Sequence, residues 1–413
     1  MPPPRPSERI EVVDVLRGAA LFGVFLVNFA GFAGRGLMAT TDQLLALPTA
    51  WIDFPLNEVS RWLFEDKANT LFAFLFGFGF WLQLERQGPA FAAAYRRRLL
   101  VLLALGLAHL AFAWLWDILH LYALAGFGLL ALRRLPPRAL LIGGLALAVL
   151  GRLLHEYYVS HVMPGFGWPE VFSRAWVFER QALAAAGDYP GLVGHFAAFT
   201  YWDWIAGGGL VAWFCYALGR FMLGAWTAQR GWLQDSSRHL PGFRRVLRIA
   251  LPAGLILEGL ARLIAVHGAK LPSPLIWAEV QHVLHFVGVP VLAAGYLAGL
   301  VVAWHHPRGQ RVLSPLALVG RMALTSYVTQ SFIIAFVLTG VGPGLSLAGR
   351  IGFASVAAIV VVGFVGQILV ARLWLGRFPQ GPLERAWRAL AGRPPPDPVR
   401  TAGRQESTPL SVR

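Results

Sequence analysis

The sequence predicts an all-α, polytopic helical membrane protein with about ten transmembrane helices and both termini cytoplasmic. Three observations carry this. Of the 413 residues, 56% are hydrophobic and only 14% charged, far less charge than a soluble domain carries. Apolar segments near the length of a bilayer crossing recur along the whole chain, leaving no room for a sizeable soluble domain. The cationic residues fall in alternate connections between those segments, which is how membrane orientation is encoded.

In order, the spans read as 15–32, 70–84, 99–113, 118–132, 139–154, 205–226, 246–265, 283–303, 316–338 and 351–373. The first follows Arg5 and Arg9; Asp14 and Arg17 interrupt its start as they would not a cleaved signal's apolar core, so it reads as an uncleaved anchor. The third and fourth form a hairpin. Arg96, Arg97 and Arg98 precede it, Arg133 and Arg134 follow it, and its tip is Trp114-Leu115-Trp116-Asp117. The shorter runs gain length from snorkelling arginines and interfacial tryptophans. With ten spans, 22 Lys and Arg residues fall on the side of the termini and eight on the other, which makes the first side cytoplasmic. The outer side then holds two long loops, 34–68 and 156–204; in the second, 170–186 reads as a helix lying on the surface. Residues 382–388 read as an interfacial helix whose Trp387 and arginines favour anionic headgroups. Residues 1–390 thus form a single transmembrane domain, and 391–413, rich in proline and polar residues, a disordered cytoplasmic tail.

The net charge of +15 is accounted for by orientation, so nucleic acid is not an expected partner; the lipid bilayer is. The single cysteine, Cys215, excludes an intrachain disulfide. No phosphate-binding glycine loop, dinucleotide fingerprint, nucleophile elbow or CxxC pair is present.

Five stretches share a pattern. They are Asp14-Val15-Leu16-Arg17-Gly18 running on to Asn28; Lys67-Ala68-Asn69-Thr70-Leu71-Phe72; Arg97-Arg98 with His109 and Asp117-Ile118-Leu119-His120; Gly320-Arg321-Met322-Ala323-Leu324-Thr325-Ser326-Tyr327 with Gln330; and Gly381-Pro382-Leu383-Glu384-Arg385 with Trp387. In this order they resemble the YeiB-like family of bacterial membrane proteins, known as domain of unknown function 418. The family-like parts run over about 10–135 and 205–390. The resemblance implies a multi-pass bacterial inner-membrane protein and assigns no activity. The opening motif is also similar, more faintly, to polytopic transmembrane acyltransferases, among them sugar O-acyltransferases and the lysosomal glucosaminide N-acetyltransferase. That likeness implies transfer of an acyl group, often from a coenzyme A thioester, to a sugar. O-acyltransferases of that group carry a catalytic histidine at the far end of this helix, where this chain has Asn28.

Ionisable groups within spans are costly and call for a partner or a task. Asp14 and Arg17, at i and i+3, either pair or leave Arg17 to hold an anion such as a phosphate of an acyl donor. Asp117 suits a helix N-cap, and equally an acid–imidazole pair with His120, the ring acting as general base. His109 reads as an interhelical hydrogen-bonding group or a further site residue. Glu258 and Arg262, at i and i+4, are expected to neutralise one another. Glu279, His282 and His285 fall short of a metal-site pattern, and no metal is expected. Arg321 with Thr325, Ser326, Thr329, Gln330 and Ser331 makes a polar stripe that needs a protein or water-filled neighbour.

Three functions stay open. The first is an acyltransferase, with Asp117 and His120 catalytic and Asp14, Arg17, Asn28, His109, Arg321 and Gln330 binding donor or acceptor. Its donor would be an acyl-coenzyme A and its acceptor an envelope sugar. The second is a transporter, although no repeated halves are visible. The third is a non-catalytic envelope component.

Overall fold

The computed structural model describes residues 10–34, 36–88, 91–113, 116–163, 171 and 173–392. Among them all regular structure is helical: α1 Glu11–Ala33, α2 Thr41–Leu45, α3 Ala50–Phe64, α4 Lys67–Gln87, α5 Phe91–Phe112, α6 Leu119–Ala131, α7 Pro137–His161, α8 Arg174–Ala186 and α9 Tyr189–Thr200. A π-helical turn, Tyr201–Ala206, then leads to α10 Gly209–Gln229, α11 Leu240–His267, α12 Pro274–Trp304, α13 Pro307–Arg321, α14 Ala323–Leu338, α15 Phe353–Leu375 and α16 Pro382–Leu390.

Every expected span falls on a helix, but fewer than ten are long and apolar enough to cross a bilayer. Six qualify, α1, α7, α10, α11, α12 and α15, and a seventh if α13 and α14 count as one span. The runs at 70–84, 99–113 and 118–132 lie on α4, α5 and α6, which do not. Arg96–Arg98 cut into α5, and Asn69, Thr70 and several glycines dilute α4. At 13 residues α6 is about 20 Å long, against a hydrocarbon core of about 30 Å. The expected ninth span is two helices that meet at 84° around Met322.

The apolar segment of α1 has 72% of its residues buried, while those of α7, α11 and α15 have 17%. Thus α1 is central, and the others turn large apolar side chains outward, among them Ile142, Ile256 and Val362. Outward apolar faces of this kind suit a lipid surround. Helix α1 crosses α13 where Gly18 lies against the Leu316 carbonyl and Gly320 against the Asp14 carbonyl. A Cβ at either position would collide with backbone, so the contact requires glycine. Helices α11 and α12 pack along their length, and α10 lies between α4 and α7.

The two long connections expected on the outer side are largely helical among their described residues. The loop 34–68 contains α2 and α3, and 156–204 contains α8, α9 and the π turn. The expected surface helix is α8, whose Ser173 side chain accepts the Trp176 N–H as an N-cap; Glu170 lies outside the described residues. Arg180 of α8 is fully buried and donates to the carbonyls of Gly36, Leu37 and Val171, tying the two loops together. Helix α16 forms where an interfacial helix is expected. The tail 393–413, Arg5, Arg9 and the hairpin-tip residues Trp114 and Leu115 lie outside the described residues.

Candidate functional site

A cavity of about 570 Å³ lies between α1, α4, α7, the α5–α6 turn, the π turn and α10. Helix α1 presents Val24, Val27, Asn28 and Gly31 to it, positions that share one helical face. The start of α4 adds Glu65, Asp66 and Asn69; α7 adds Arg152, His155 and Glu156; the π turn adds Asp203 and Trp204. Trp116, Phe199 and Trp213 supply aromatic wall.

Asp117 reaches this wall from the hairpin turn with no solvent exposure. Its Oδ2, on the residue before the N-cap Ile118, accepts the backbone N–H of His120 in the first turn of α6 at 2.8 Å. The same oxygen lies 2.9 Å from His120 Nδ1, and Oδ1 lies 2.8 Å from His109 Nδ1. One carboxylate thus contacts both the first turn of α6 and two imidazoles. Gly106 on α5 makes this possible, since a Cβ there would run into the His120 backbone. Burial pushes the Asp117 carboxyl up, but the hydrogen bonds from His109 and His120 outweigh it and hold the group below its ordinary value. His109 packs on Tyr327, with ring centroids 5.5 Å apart, and His120 on Trp204 at 5.0 Å. Both imidazoles thus stand directly behind cavity-lining rings. His109 Nε2 is buried without a partner among the described residues.

A second chain of charges meets the cavity at Asp66. Its Oδ2 lies 3.2 Å from His285 Nε2; His285 Nδ1 lies 3.2 Å from Glu258 Oε2; and Glu258 pairs with Lys67. Lys67 and Glu258 are 1% and 0% exposed, so the inner end of the string is sealed within the bundle while Asp66 meets the cavity. Both nitrogens of His285 face carboxylates, and only the imidazolium satisfies both as a donor. Burial raises the Asp66 carboxyl, yet the hydrogen bond and charge of His285, with Arg152 and Lys67, hold it well below the usual carboxylate range. Asp66 is left-handed, with φ 62°, a conformation rare outside glycine, and its carbonyl accepts the Tyr216 hydroxyl at 2.9 Å. This string replaces the expected Glu258–Arg262 pair: Arg262 instead binds Glu58. The difference is one of facing, because Glu258 turns inward to α4 and α12 while Arg262 reaches α3.

Two further groups decide the cavity's character. Asp203 is pushed up to about 6 by burial; Glu156 adds to the rise and Arg152 opposes it. Trp204 Nε1 and Arg152 Nε are buried hydrogen-bond donors without an acceptor among the described residues, positions that a ligand's oxygens can fill.

The remaining predicted residues lie elsewhere. Asp14 and Arg17 are paired at 3.2 Å near the α1–α13 crossing that also bears Arg321, at the other end of α1 from the cavity lining. Gln330 is buried between helices, bonded to Gln367 at 3.1 Å, and does not line the cavity. The stripe beside it is satisfied by neighbours. Gln367 donates to the Ser326 carbonyl and to Thr329 Oγ1. Glu384 of α16 accepts the N–H groups of Leu324 and Thr325, at 2.7 and 3.2 Å, and the Thr325 hydroxyl at 2.6 Å. Glu384 therefore caps α14 where the helix breaks. Of the site residues named from the sequence, Asp117 and Asn28 line the cavity, and His109 and His120 stand behind its Tyr327 and Trp204. Asp66, Arg152, His155, Glu156, Asp203 and the Lys67–Glu258–His285 string were missed; their visible trace was the cost of charged groups beside apolar runs.

An all-helical bundle with lipid-suited outer faces around a polar, aromatic-walled cavity defines a class of multi-helix membrane proteins. Residues 227–394 match the family model described as "Protein of unknown function (DUF418)". Over 400 residues the chain is 29% identical to "Uncharacterized protein YxaH" of Bacillus subtilis (strain 168), covering 93% of this chain and 94% of the relative. Over 408 residues it is 27% identical to "Uncharacterized protein YeiB" of Escherichia coli (strain K12), covering 94% and 97%. No solved structure matches the chain. The chain is thus similar along its length to YxaH and YeiB, and its C-terminal part matches the DUF418 model, the family that its motifs resemble.

Proposed function

We propose that the protein is a multi-pass protein of the bacterial inner membrane, with cytoplasmic termini, that transfers an acyl group to a hydroxyl of an envelope sugar or lipid held in the outward-facing cavity. One observation carries the reading: the buried Asp117 carboxylate orients two imidazoles through Nδ1 directly behind the cavity-lining Tyr327 and Trp204. An Nδ1–H held by a carboxylate leaves the Nε2 lone pair free, the form a general base requires. His120 takes the proton of the acceptor hydroxyl, the oxygen attacks the acyl carbonyl, and the carbon–sulfur bond of a coenzyme A-type thioester breaks. The thiolate leaves with the proton that the imidazole had taken.

The lining suits such an acceptor. Trp116, Trp204 and Trp213 offer faces for a sugar ring, and Trp204 Nε1 and Arg152 Nε offer donors to its oxygens. Glu65, Asp66 and Glu156 each already face a cation, Arg61, His285 and Arg152, so the cavity favours a neutral polyol. Arg17 and Arg321 are the candidate holders of an anionic donor from the cytoplasm. The cavity reaches Val24, seven residues from Arg17, or about 10 Å along α1, a gap that the donor's extended arm can span.

The test is complementation. In cells lacking the protein, the wild type should restore acylation of an envelope glycan, while Asp117→Asn and His120→Ala, inserted to the same level, should not. Normal acylation by both variants would overturn the reading. A transporter is the second reading, favoured by the break between α13 and α14 and by the charge string. Solute flux in proteoliposomes without acyl chemistry would establish it instead.

A further inference from the structure

We propose that the groove at the start of α11 binds an anionic phospholipid, with its phosphate on Arg244, Arg245 and Arg248 and its acyl chains along the outer face of the same helix. The groove, of about 460 Å³, is lined by these arginines with Pro241 and Ile249. All three side chains are exposed. Arg248 follows Arg245 by three residues and Arg244 by four, so the guanidinium groups share one face and repel one another. No hydrogen bond or ion pair of their side chains is found among the described residues. The nearest acid in sequence, Asp235, is occupied by the Ser237 hydroxyl and the Arg238 N–H. The repulsion therefore calls for a negative charge from outside the chain, and phosphate geometry matches guanidinium donors.

What lies next to the arginines selects a lipid as the source of that phosphate. Ile249, Ile256, Leu260 and Leu263 are 59%, 62%, 45% and 59% exposed. Their spacing places them on one face of α11. An apolar strip thus starts where the basic cluster ends, in the same order as head group and chains in a phospholipid. The ten-span reading places the 230–245 loop on the cytoplasmic side, so the lipid belongs to the cytoplasmic leaflet, where anionic lipids attract basic clusters. The site is separate from the central cavity and does not depend on acyl transfer.

Native mass spectrometry of the full chain in neutral detergent tests this. The protein is equilibrated with equal amounts of phosphatidylglycerol and phosphatidylcholine of the same chain length. The wild type should retain phosphatidylglycerol selectively. Each arginine counts for about fivefold, the equivalent of about 1 kcal/mol per residue, so Arg248→Gln should lower retention about fivefold. Arg244→Gln/Arg245→Gln/Arg248→Gln should erase the preference, and Arg308→Gln/Arg311→Gln, which neutralises exposed arginines on α13, should leave it. Equal retention of both lipids by the wild type overturns the proposal. So does preference surviving the triple variant, loss in the α13 control as large as in the triple variant, or full displacement by millimolar inorganic phosphate. If the triple variant fails to insert, the Arg248→Gln result decides.

Discussion

Asp117 ties the hairpin turn together, because one carboxylate accepts a backbone N–H from the first turn of α6 and holds two histidines. Asp203, immediately before Trp204 in the chain, behaves in the opposite way. Burial keeps its proton to about 6, against an ordinary 3.8. Over that interval the folded protein binds more protons than the unfolded chain, so this group lowers stability as pH rises from about 4 to about 6. Asp66 and Asp117, held low, lose their contribution as pH falls, so the informative quantity is the difference between wild type and variant. Asp203→Asn should flatten the Asp203 part of the fall in thermal stability across that window, read by tryptophan fluorescence in detergent. A pH dependence identical to the wild type would contradict the assignment. Asp117, His120 and His109 drew attention in the sequence because an acid and histidines beside apolar runs demand partners, and Asn28 through the motif of the first helix. Asp203 did not, since its environment is made by α7, which lies some fifty residues earlier.

At the scale of elements, two tertiary devices hold the bundle. The first is the string Lys67–Glu258–His285–Asp66, which joins α4, α11 and α12. Lys67→Met leaves a buried carboxylate short of its counter-charge and should cost about 3–5 kcal/mol. Lys67→Met/Glu258→Gln removes both charges and should recover much of that, so the two changes are strongly non-additive in thermal unfolding. Additivity would show that the pair is not coupled. The second is Glu384, which caps α14 at the break. Glu384→Ala should cost about 1 kcal/mol and raise the protease sensitivity of residues 376–392; an unchanged digest would argue against the cap. Periodicity and charge predicted helices at each expected span, and the closing Gly381–Arg385 motif was visible. The break at Met322 was not, because its cause, a carboxylate about sixty residues away, is tertiary. The Glu258–Arg262 spacing misled for a similar reason: i, i+4 geometry permits a pair, but the packing of α3 and α4 chooses the partners.

For the whole molecule, alternation of basic loops predicts that the cavity opens outward. With Cys215 replaced by alanine, a membrane-impermeant maleimide should label Ser273→Cys in intact cells, and Ser237→Cys only after permeabilisation. The reverse pattern would invert the topology and move the cavity to the cytoplasmic side. Fewer than ten helices qualify by length and apolarity alone because Arg96–Arg98 cut into α5, while α4 and α6 are largely buried, where short or polar-interrupted helices are shielded by neighbours. The central claim is that Asp117 orients a base at an acyl-acceptor cavity. Its most direct measurement is transfer of radiolabelled acetyl from acetyl-coenzyme A to envelope glycan by the purified protein, with Asp117→Asn beside it. The account predicts transfer by the wild type and a loss of at least about a hundredfold in the variant, with helix content and detergent stability largely kept. Equal transfer by the two proteins, or none by a folded wild type supplied with donor and glycan, would contradict it.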